Sequence, residues 1–189
     1  YDWERGLGTC HNCDSTFQMH TYKRKGKAER EYVMPTWDGI RSQVAEGDKA
    51  LKWFKSRGIS QKTLEDLVVS TGKEYMPQTG KTENTIQFNY YVGGRLTNIK
   101  YRDARKNFKL YKGAEKVFYN IDNIVGHDEC IIVEGEMDVL ALHEAGIPNA
   151  ISVPNGATLN SNNLDYLDNC IDYFEDKKKI IIAVDNDPP

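Results

Sequence analysis

Long hydrophobic runs are missing from this sequence of 189 residues, and so is a strong excess of charge of either sign. No apolar stretch approaches the roughly 20 residues that a transmembrane helix needs, so we do not expect a membrane protein. Charged residues make up 28% of the chain and hydrophobic residues 39%, which is typical of a soluble, folded protein. The formal net charge of −3 conceals local basic stretches and therefore says little about partners.

Cysteine is also scarce, and four residues without a signal-peptide pattern do not indicate a disulfide framework. Cys130 and Cys170 stand in apolar patterns, which is typical of buried packing residues. Cys10 and Cys13 form a C-x-x-C pair, a spacing that lets two thiolates reach one tetrahedral zinc ion. We interpret this pair as the second half of a zinc ribbon, and a redox or incidental pair is the alternative.

The two ends of the sequence predict a fragment of a longer protein. The chain starts without Met and stops directly after an acidic motif. We expect the other half of the zinc ribbon to precede Tyr1.

Two short β-branched runs, residues 130–133 and 180–184, each lead into acidic residues. Such runs are typical of strands that are buried on both faces of a parallel sheet. The acids that follow the two runs are Glu134, Asp138, Asp185 and Asp187. Ligands of open α/β sheets bind at the carboxyl ends of the strands, where neighbouring strands would gather these carboxylates around a divalent cation. The alternative is that the acids are only turn and cap residues.

A basic segment precedes the first of these runs. The alternating residues 85–92 and 95–101 flank Gly93-Gly94, which predicts a hairpin. Its second arm leads into cations interleaved with aromatic residues, among them Lys100, Arg102, Arg105, Lys106 and Lys109. Cations beside stacking faces suit single-stranded nucleic acid or nucleoside triphosphates. The alternative is a solvated edge strand that Lys and Arg protect from pairing.

The remaining pattern divides the chain into four parts. Residues 1–32 hold the partial zinc ribbon, and residues 33–47 form a linker. Residues 48–124 combine the hairpin with two short helices, the first capped by Asp48 and the second capped by Ser60 and closed by Gly72. In residues 125–189 we expect strand 130–134, helix 137–145, strand 150–153, a helix over about 162–175, and strand 180–184. This order predicts an α/β fold, with an α+β subdomain followed by a parallel, Rossmann-like sheet.

Several of these motifs resemble one protein family. The stretch Ile131-Ile132-Val133-Glu134-Gly135-Glu136-Met137-Asp138 resembles the first motif of toprim domains, and Asp185-Asn186-Asp187 resembles their D-x-D motif. Pro154-Asn155-Gly156 is similar to the small-residue turn after the second toprim strand. Residues 99–109 resemble the basic segment of phage-type primases, including those fused to replicative helicases. Over nearly its whole length the chain is therefore similar to the primase half of such a protein, a truncated toprim domain included.

The resemblance implies roles for the candidate residues. Glu134 would assist deprotonation of an attacking 3′-hydroxyl or place the metal near it, with support from Asp138. Asp185 and Asp187, together with Glu134, would hold Mg²⁺ or Mn²⁺, and the cysteine pair would belong to a Zn²⁺ site. The basic residues that would contact the triphosphate or the primer and template are Lys100, Arg102, Arg105, Lys106 and Lys109.

The activity that the resemblance implies is synthesis of short RNA primers on single-stranded DNA from nucleoside triphosphates. A fused or associated replicative helicase would be a partner, and the location would be the cytoplasm of a bacterial or phage-infected cell. A non-catalytic module that binds single-stranded DNA and a toprim nuclease are the alternatives. Both acidic motifs are intact, which favours the enzyme.

Overall fold

The computed structural model describes residues 48–155 and 164–185, the segments 31–36 and 42–44, and the backbone of two short strands near the amino terminus. The chain divides into two units, Tyr1–Arg30 and Glu31–Pro189. In the first unit, β1 (Leu7–Thr9) pairs antiparallel with β2 (Thr16–Gln18). The predicted zinc ligands Cys10 and Cys13 lie outside the described residues.

Two short helices open the well-described part of the second unit. They are α1 (Lys49–Lys55) and α2 (Gln61–Asp66). The caps are the predicted ones, because Asp48 accepts a hydrogen bond from the N–H of Ala50 and the Ser60 hydroxyl accepts one from the N–H of Thr63. The expectation that α2 extends to Gly72 is wrong. Val68 adopts a left-handed conformation (φ 52°), which stops the helix and leads directly into a strand.

An antiparallel sheet of five strands follows. Its strands are β3 (Ser42–Gln43), β4 (Ser70–Met76), β5 (Lys81–Val92), β6 (Arg95–Asp103) and β7 (Phe108–Leu110), in that spatial order. The predicted Gly93-Gly94 turn joins β5 to β6, and both glycines have positive φ. The carboxylate of Asp122 accepts a hydrogen bond of 2.8 Å from each of their N–H groups, which fixes the turn.

A parallel sheet of three strands completes the unit. It consists of β8 (Glu129–Val133), β9 (Ala150–Ser152) and β10 (Lys179–Ile182), with β8 in the centre. The helix α3 (Glu136–Glu144) connects β8 to β9. The parallel arrangement of β8 and β10, which the sequence predicts, is confirmed. The α/β fold class, with its α+β subdomain and parallel sheet, is likewise confirmed.

Two expectations about the last elements are wrong. The long helix expected over about 162–175 is, within the described residues, a short α4 (Asp165–Asn169) and a 3-10 helix (Ile171–Phe174) that meet at the buried Cys170. The strand expected to be buried on both faces, β10, lies at the edge of the sheet. Its residues Ile180 and Ile182 are 46% and 70% exposed, and among the described strands β8 alone pairs with it.

One hydrophobic core joins the helices, the antiparallel sheet and the parallel sheet. Phe54 from α1, Phe88 and Tyr90 from β5, and Leu140 from α3 are all completely buried in it. The rings of Tyr90 and Tyr119 meet edge to face at 5.2 Å. The two sheets are therefore fixed against each other by packing. None of the helices in the described ranges is long and apolar enough to cross a membrane.

Candidate active site

The acidic ends of two parallel strands lie side by side. The register pairs Ile132 of β8 with Ile182 of β10. Just beyond the ladder, the N–H of Ala183 donates a hydrogen bond of 2.9 Å to the carbonyl of Ile132, and the N–H of Asp185 donates one of 3.0 Å to Oε1 of Glu134. The structure therefore brings Glu134 and Asp185 close together, as the sequence predicts. Asp187, the second acid of the D-x-D motif, lies outside the described residues.

Asp138 joins the same group from the first turn of α3. Its Oδ2 accepts a hydrogen bond of 3.0 Å from the N–H of Gly135. A side chain at Gly135 would place its Cβ 3.3 Å from that oxygen, so glycine gives the carboxylate room to cap the helix. This bond fixes the connection from Glu134 at the strand end to Asp138 on the helix.

The carboxylates line a cavity of about 620 Å³, which we name the carboxylate cavity. Its ionisable lining residues include, on the acidic side, Glu134, Asp138 and Asp185 and, on the basic side, Lys100, Arg102 and Lys109. Phe108 lies between the cations, with the Nζ of Lys100 5.3 Å and the guanidinium carbon of Arg102 5.9 Å from its ring centroid. One cavity therefore combines acids that attract a divalent cation with cations that attract phosphate.

Lys100 is not a solvated cation, and its partner is a residue for which sequence reasoning predicted no role. The Nζ of Lys100 donates to both carboxylate oxygens of Glu136, at 2.8 and 3.1 Å. Tyr90 donates its hydroxyl hydrogen to the same carboxylate. Glu136 is 3% exposed and Lys100 9%. The sequence shows an acid at position 136, but only the fold reveals that it is buried against a lysine from β6.

Lys109 stands at the rim of the cavity. It forms an ion pair of 2.6 Å with Glu74 and lies 5.2 Å from the ring centroid of Tyr101. Both partners of this pair keep part of their surface in water. The ion pair therefore orients Lys109, and it does not involve the acidic residues that line the cavity.

A second cavity, of about 650 Å³, lies beside α1, and we name it the Trp53 cavity. The guanidinium carbons of Arg57 and Arg102 each lie 4.6 Å from the Trp53 ring centroid. Burial lowers the pKa of Arg102, and the neighbouring charge of Arg57 lowers it further. Lys49, Lys73 and Lys106 also line the cavity. An anion bound there would relieve the repulsion between the two guanidiniums.

The predicted basic cluster is thus divided between two cavities. Lys100 and Lys109 line the carboxylate cavity, Lys106 lines the Trp53 cavity, and Arg102 lines both. Arg105 lines neither of them. Arg105 and Lys106 lie on the loop between β6 and β7. The buried Asp103 orders this loop, because its carboxylate accepts hydrogen bonds from the N–H groups of Arg105 and Asn107.

The donor set suits a hard divalent cation. Glu134 and Asp138 each give one oxygen to a backbone N–H, and no described residue bonds to the other oxygen. Carboxylate oxygens of this kind are the usual protein ligands of Mg²⁺ and Mn²⁺. Among the residues that the structure describes, no three His, Cys, Asp or Glu side chains stand close enough together to hold a metal by themselves.

Comparison with known proteins identifies the class. Residues 128–189 match the toprim domain family. The fold matches the crystal structure of the primase fragment of the bacteriophage T7 primase-helicase protein, with a TM-score of 0.61 and 23% identity, over 97% of this chain and 73% of that one. The chain is therefore a toprim-containing protein with the fold of a primase fragment, as the sequence predicts.

Two curated relatives from Arabidopsis thaliana make the assignment more particular. The chain is 37% identical to a primase homolog protein and 35% identical to a chloroplastic or mitochondrial Twinkle homolog protein, over 153 residues in each case. These matches cover 75% of this chain, but only 44% and 21% of the two relatives. The chain therefore spans less than half the length of either curated relative.

Proposed function

We propose that the protein synthesises short RNA primers on single-stranded DNA by nucleotidyl transfer. The observation that supports this most is the carboxylate cavity, in which Glu134 and Asp185 share a hydrogen bond and face Lys100, Arg102 and Lys109. Phosphoryl transfer needs little covalent chemistry from the protein, but it needs exact positioning and neutralisation of charge. The two sides of this cavity would supply both.

The carboxylates would bind the catalytic cation. Glu134, Asp185 and Asp187 would hold Mg²⁺ or Mn²⁺, which when bound lowers the pKa of the attacking 3′-hydroxyl and neutralises charge on the phosphate. Glu134 would assist removal of the hydroxyl proton, and Asp138 would keep the strand end in place through Gly135. Lys100 and Lys109 would bind the triphosphate on the opposite side.

The Trp53 cavity would bind the template strand. Its cations are suited to the phosphodiester backbone, and Trp53 offers an aromatic surface between them. Arg102 lines both cavities, so a template held beside Trp53 would run toward the nucleotide site. In this proposal Lys106 contacts a phosphate of the template, while Arg105 only adds to the positive electrostatic potential of the basic loop.

We also propose the domain organisation and partners that the sequence predicts. Residues 1–32 would form half of a zinc ribbon with Cys10 and Cys13 as Zn²⁺ ligands, and residues 33–47 would link it to the catalytic core. That core would comprise residues 48–124 and a toprim domain from residue 125. A replicative helicase, fused or associated, would be the partner in the cytoplasm of a bacterial or phage-infected cell.

A binding module without catalysis is the second candidate, because the Trp53 cavity needs no metal ion to attract a single strand. Incubation of the full-length protein with a single-stranded template, labelled nucleoside triphosphates and Mg²⁺ separates the candidates. Dinucleotides and short oligomers would support the primase. Degraded template would indicate a nuclease, and template binding without either product would indicate the binding module.

A further inference from the structure

The floor of the carboxylate cavity contains a buried, charge-balanced cluster that joins three elements of the fold. Tyr90 comes from β5, Lys100 from β6, and Glu136 from the first turn of α3. All three are at least nine-tenths buried. The cluster spans the junction between the antiparallel sheet and the helix that carries Asp138.

Both oxygens of the Glu136 carboxylate already accept hydrogen bonds from protein groups. Oε1 accepts hydrogen bonds from Tyr90 and from Lys100, and Oε2 accepts one from Lys100 at 3.1 Å. By contrast, Glu134 and Asp138 each use a single oxygen in a bond to the backbone. Glu136 is therefore chemically distinct from the two acids that flank it in sequence.

Lys100 keeps the capacity to bind a ligand while it is paired. An ammonium group carries three N–H donors, and Glu136 takes at most two of them. The lysine also contributes to the lining of the cavity beside Phe108. A triphosphate oxygen can therefore accept the remaining N–H without breaking the ion pair.

We propose that Glu136 is a positioning residue that acts through Lys100, with Tyr90 fixing the carboxylate, so that one N–H of Lys100 binds the triphosphate of the incoming nucleotide. This inference rests on the proposed function and assigns the nucleotide side of the same site. A lysine side chain has four rotatable bonds, and an unpaired ammonium at this depth would turn toward water. Glu136 fixes the Lys100 side chain before the nucleotide binds, so binding costs less side-chain conformational entropy.

The test measures nucleotide binding and synthesis separately in the full-length protein. Binding of labelled ATP is measured by equilibrium dialysis in EDTA and in Mg²⁺, and synthesis is measured on a single-stranded template. Glu136→Gln should raise the Kd and the KM for nucleotide by roughly 10-fold, the size of one charge-assisted hydrogen bond. The kcat and the Mg²⁺ concentration at half-maximal activity should stay unchanged.

A double-variant cycle shows whether Glu136 acts through Lys100. Lys100→Met alone should raise the Kd by a similar factor, and Lys100→Met with Glu136→Gln should raise it no further. The double variant also removes both buried charges, which keeps the fold free of an unpaired ion. Tyr90→Phe should give a smaller rise in Kd, because the ion pair remains. Asp128→Asn, which alters an exposed ion pair with Lys178 outside both cavities, should change the Kd by less than about twofold.

The outcomes are distinct. A Mg²⁺ requirement that rises in Glu136→Gln would make Glu136 a metal ligand, and a further loss of affinity in the double variant would show that it acts independently of Lys100. Either result would overturn the proposal. An unchanged Kd in Glu136→Gln and Lys100→Met, in a protein that still makes primers, would overturn it as well and leave the proposed function standing. A wild-type protein that neither binds ATP nor makes primers would overturn both.

Discussion

Asp185 donates its backbone N–H to Oε1 of Glu134 over 3.0 Å, although the two residues are 51 positions apart in the chain. The bond depends on the parallel pairing of β10 with β8, which brings both strand ends to the same edge of the sheet. The two carboxylates are therefore held close together by backbone geometry, so a change of either side chain can test charge without moving the strands.

Glu134→Gln should reduce primer synthesis by at least about 100-fold, because the amide can neither accept the hydroxyl proton nor ligate the cation as strongly. Asp185→Asn should have a similar effect, because it removes a carboxylate that would bind the cation. The backbone N–H that donates to Glu134 stays in place, so the strand ends should not move. Synthesis is measured with labelled nucleotides on a single-stranded template, and template binding should be unchanged. Glu129→Gln, at the other end of β8, is the matched control and should synthesise normally. Near wild-type synthesis by Glu134→Gln would remove the proposed role.

Lys106→Ala should reduce the salt dependence of template binding. One lost phosphate contact lowers the slope of log K against log salt by about 0.7 for a single strand. The measurement is fluorescence anisotropy of a labelled oligonucleotide over a series of salt concentrations. Lys52→Ala is the control, because it removes an exposed cation from α1 that lies outside the Trp53 cavity. An equal change of slope in both variants would show that only the general charge matters.

Arg57→Gln and Arg102→Gln should separate the two cavities. Arg57 lines the Trp53 cavity and not the carboxylate cavity, so its variant should weaken template binding and leave the nucleotide Kd unaffected. Arg102 lines both, so its variant should weaken the binding of each ligand. Titrations with a single strand alone and with ATP alone measure the two affinities. If Arg57→Gln weakened both affinities equally, the division into two binding regions would be wrong.

Glu144→Gln should destabilise the fold, because Glu144 near the carboxyl end of α3 accepts hydrogen bonds from Thr63 and Ser60 at the start of α2. These bonds lower the pKa of the Glu144 carboxyl, with the Thr63 hydroxyl as the largest cause. The depressed pKa means that the stabilisation is present above the unfolded carboxyl pKa of about 4.3 and is lost as the pH falls below it.

At neutral pH we expect the free energy of unfolding to fall by on the order of 1 kcal/mol, since Glu144 itself is exposed to solvent. Urea unfolding of the wild-type protein and of Glu144→Gln, at neutral and at acidic pH, measures the difference in their free energies of unfolding. This difference should become smaller in acid. Gln61→Ala, which removes another polar side chain from the same turn of α2, is the control and should show no such pH dependence. A difference that stayed constant with pH would exclude the carboxylate as its cause.

Local signals in the sequence predicted much of the fold. The Gly93-Gly94 turn, the caps Asp48 and Ser60, and the parallel strands that end at Glu134 and Asp185 all follow from patterns within a few residues. The sequence does not predict the strand β4, because the turn from α2 depends on a left-handed Val68, a conformation that β-branched residues rarely adopt. It does not predict the edge position of β10 either, since a run of isoleucines does not reveal how many neighbours a strand has.

At the candidate site, too, the sequence predicts some features and not others. The charges of Glu134, Asp138 and Lys100 were visible in the sequence, because they stand in recognisable motifs. The role of Glu136 was not visible, because it depends on burial and on a contact with Lys100, 36 residues earlier. The sequence also did not reveal that Lys106 lines a different cavity from Lys100. Such assignments require the path of the loop that Asp103 organises.

The order in which the ribosome releases the chain has a consequence for this architecture. The arms of the β5–β6 hairpin are joined by two glycines, so they can pair soon after both have emerged. Lys179 of β10 pairs with Glu129, 50 positions earlier, so this contact cannot form until β10 has been translated. A nascent chain that stalls before β10 therefore already carries the basic arm but has only one of the two paired acidic strand ends, so the acidic side of the carboxylate cavity is completed only after β10 has emerged.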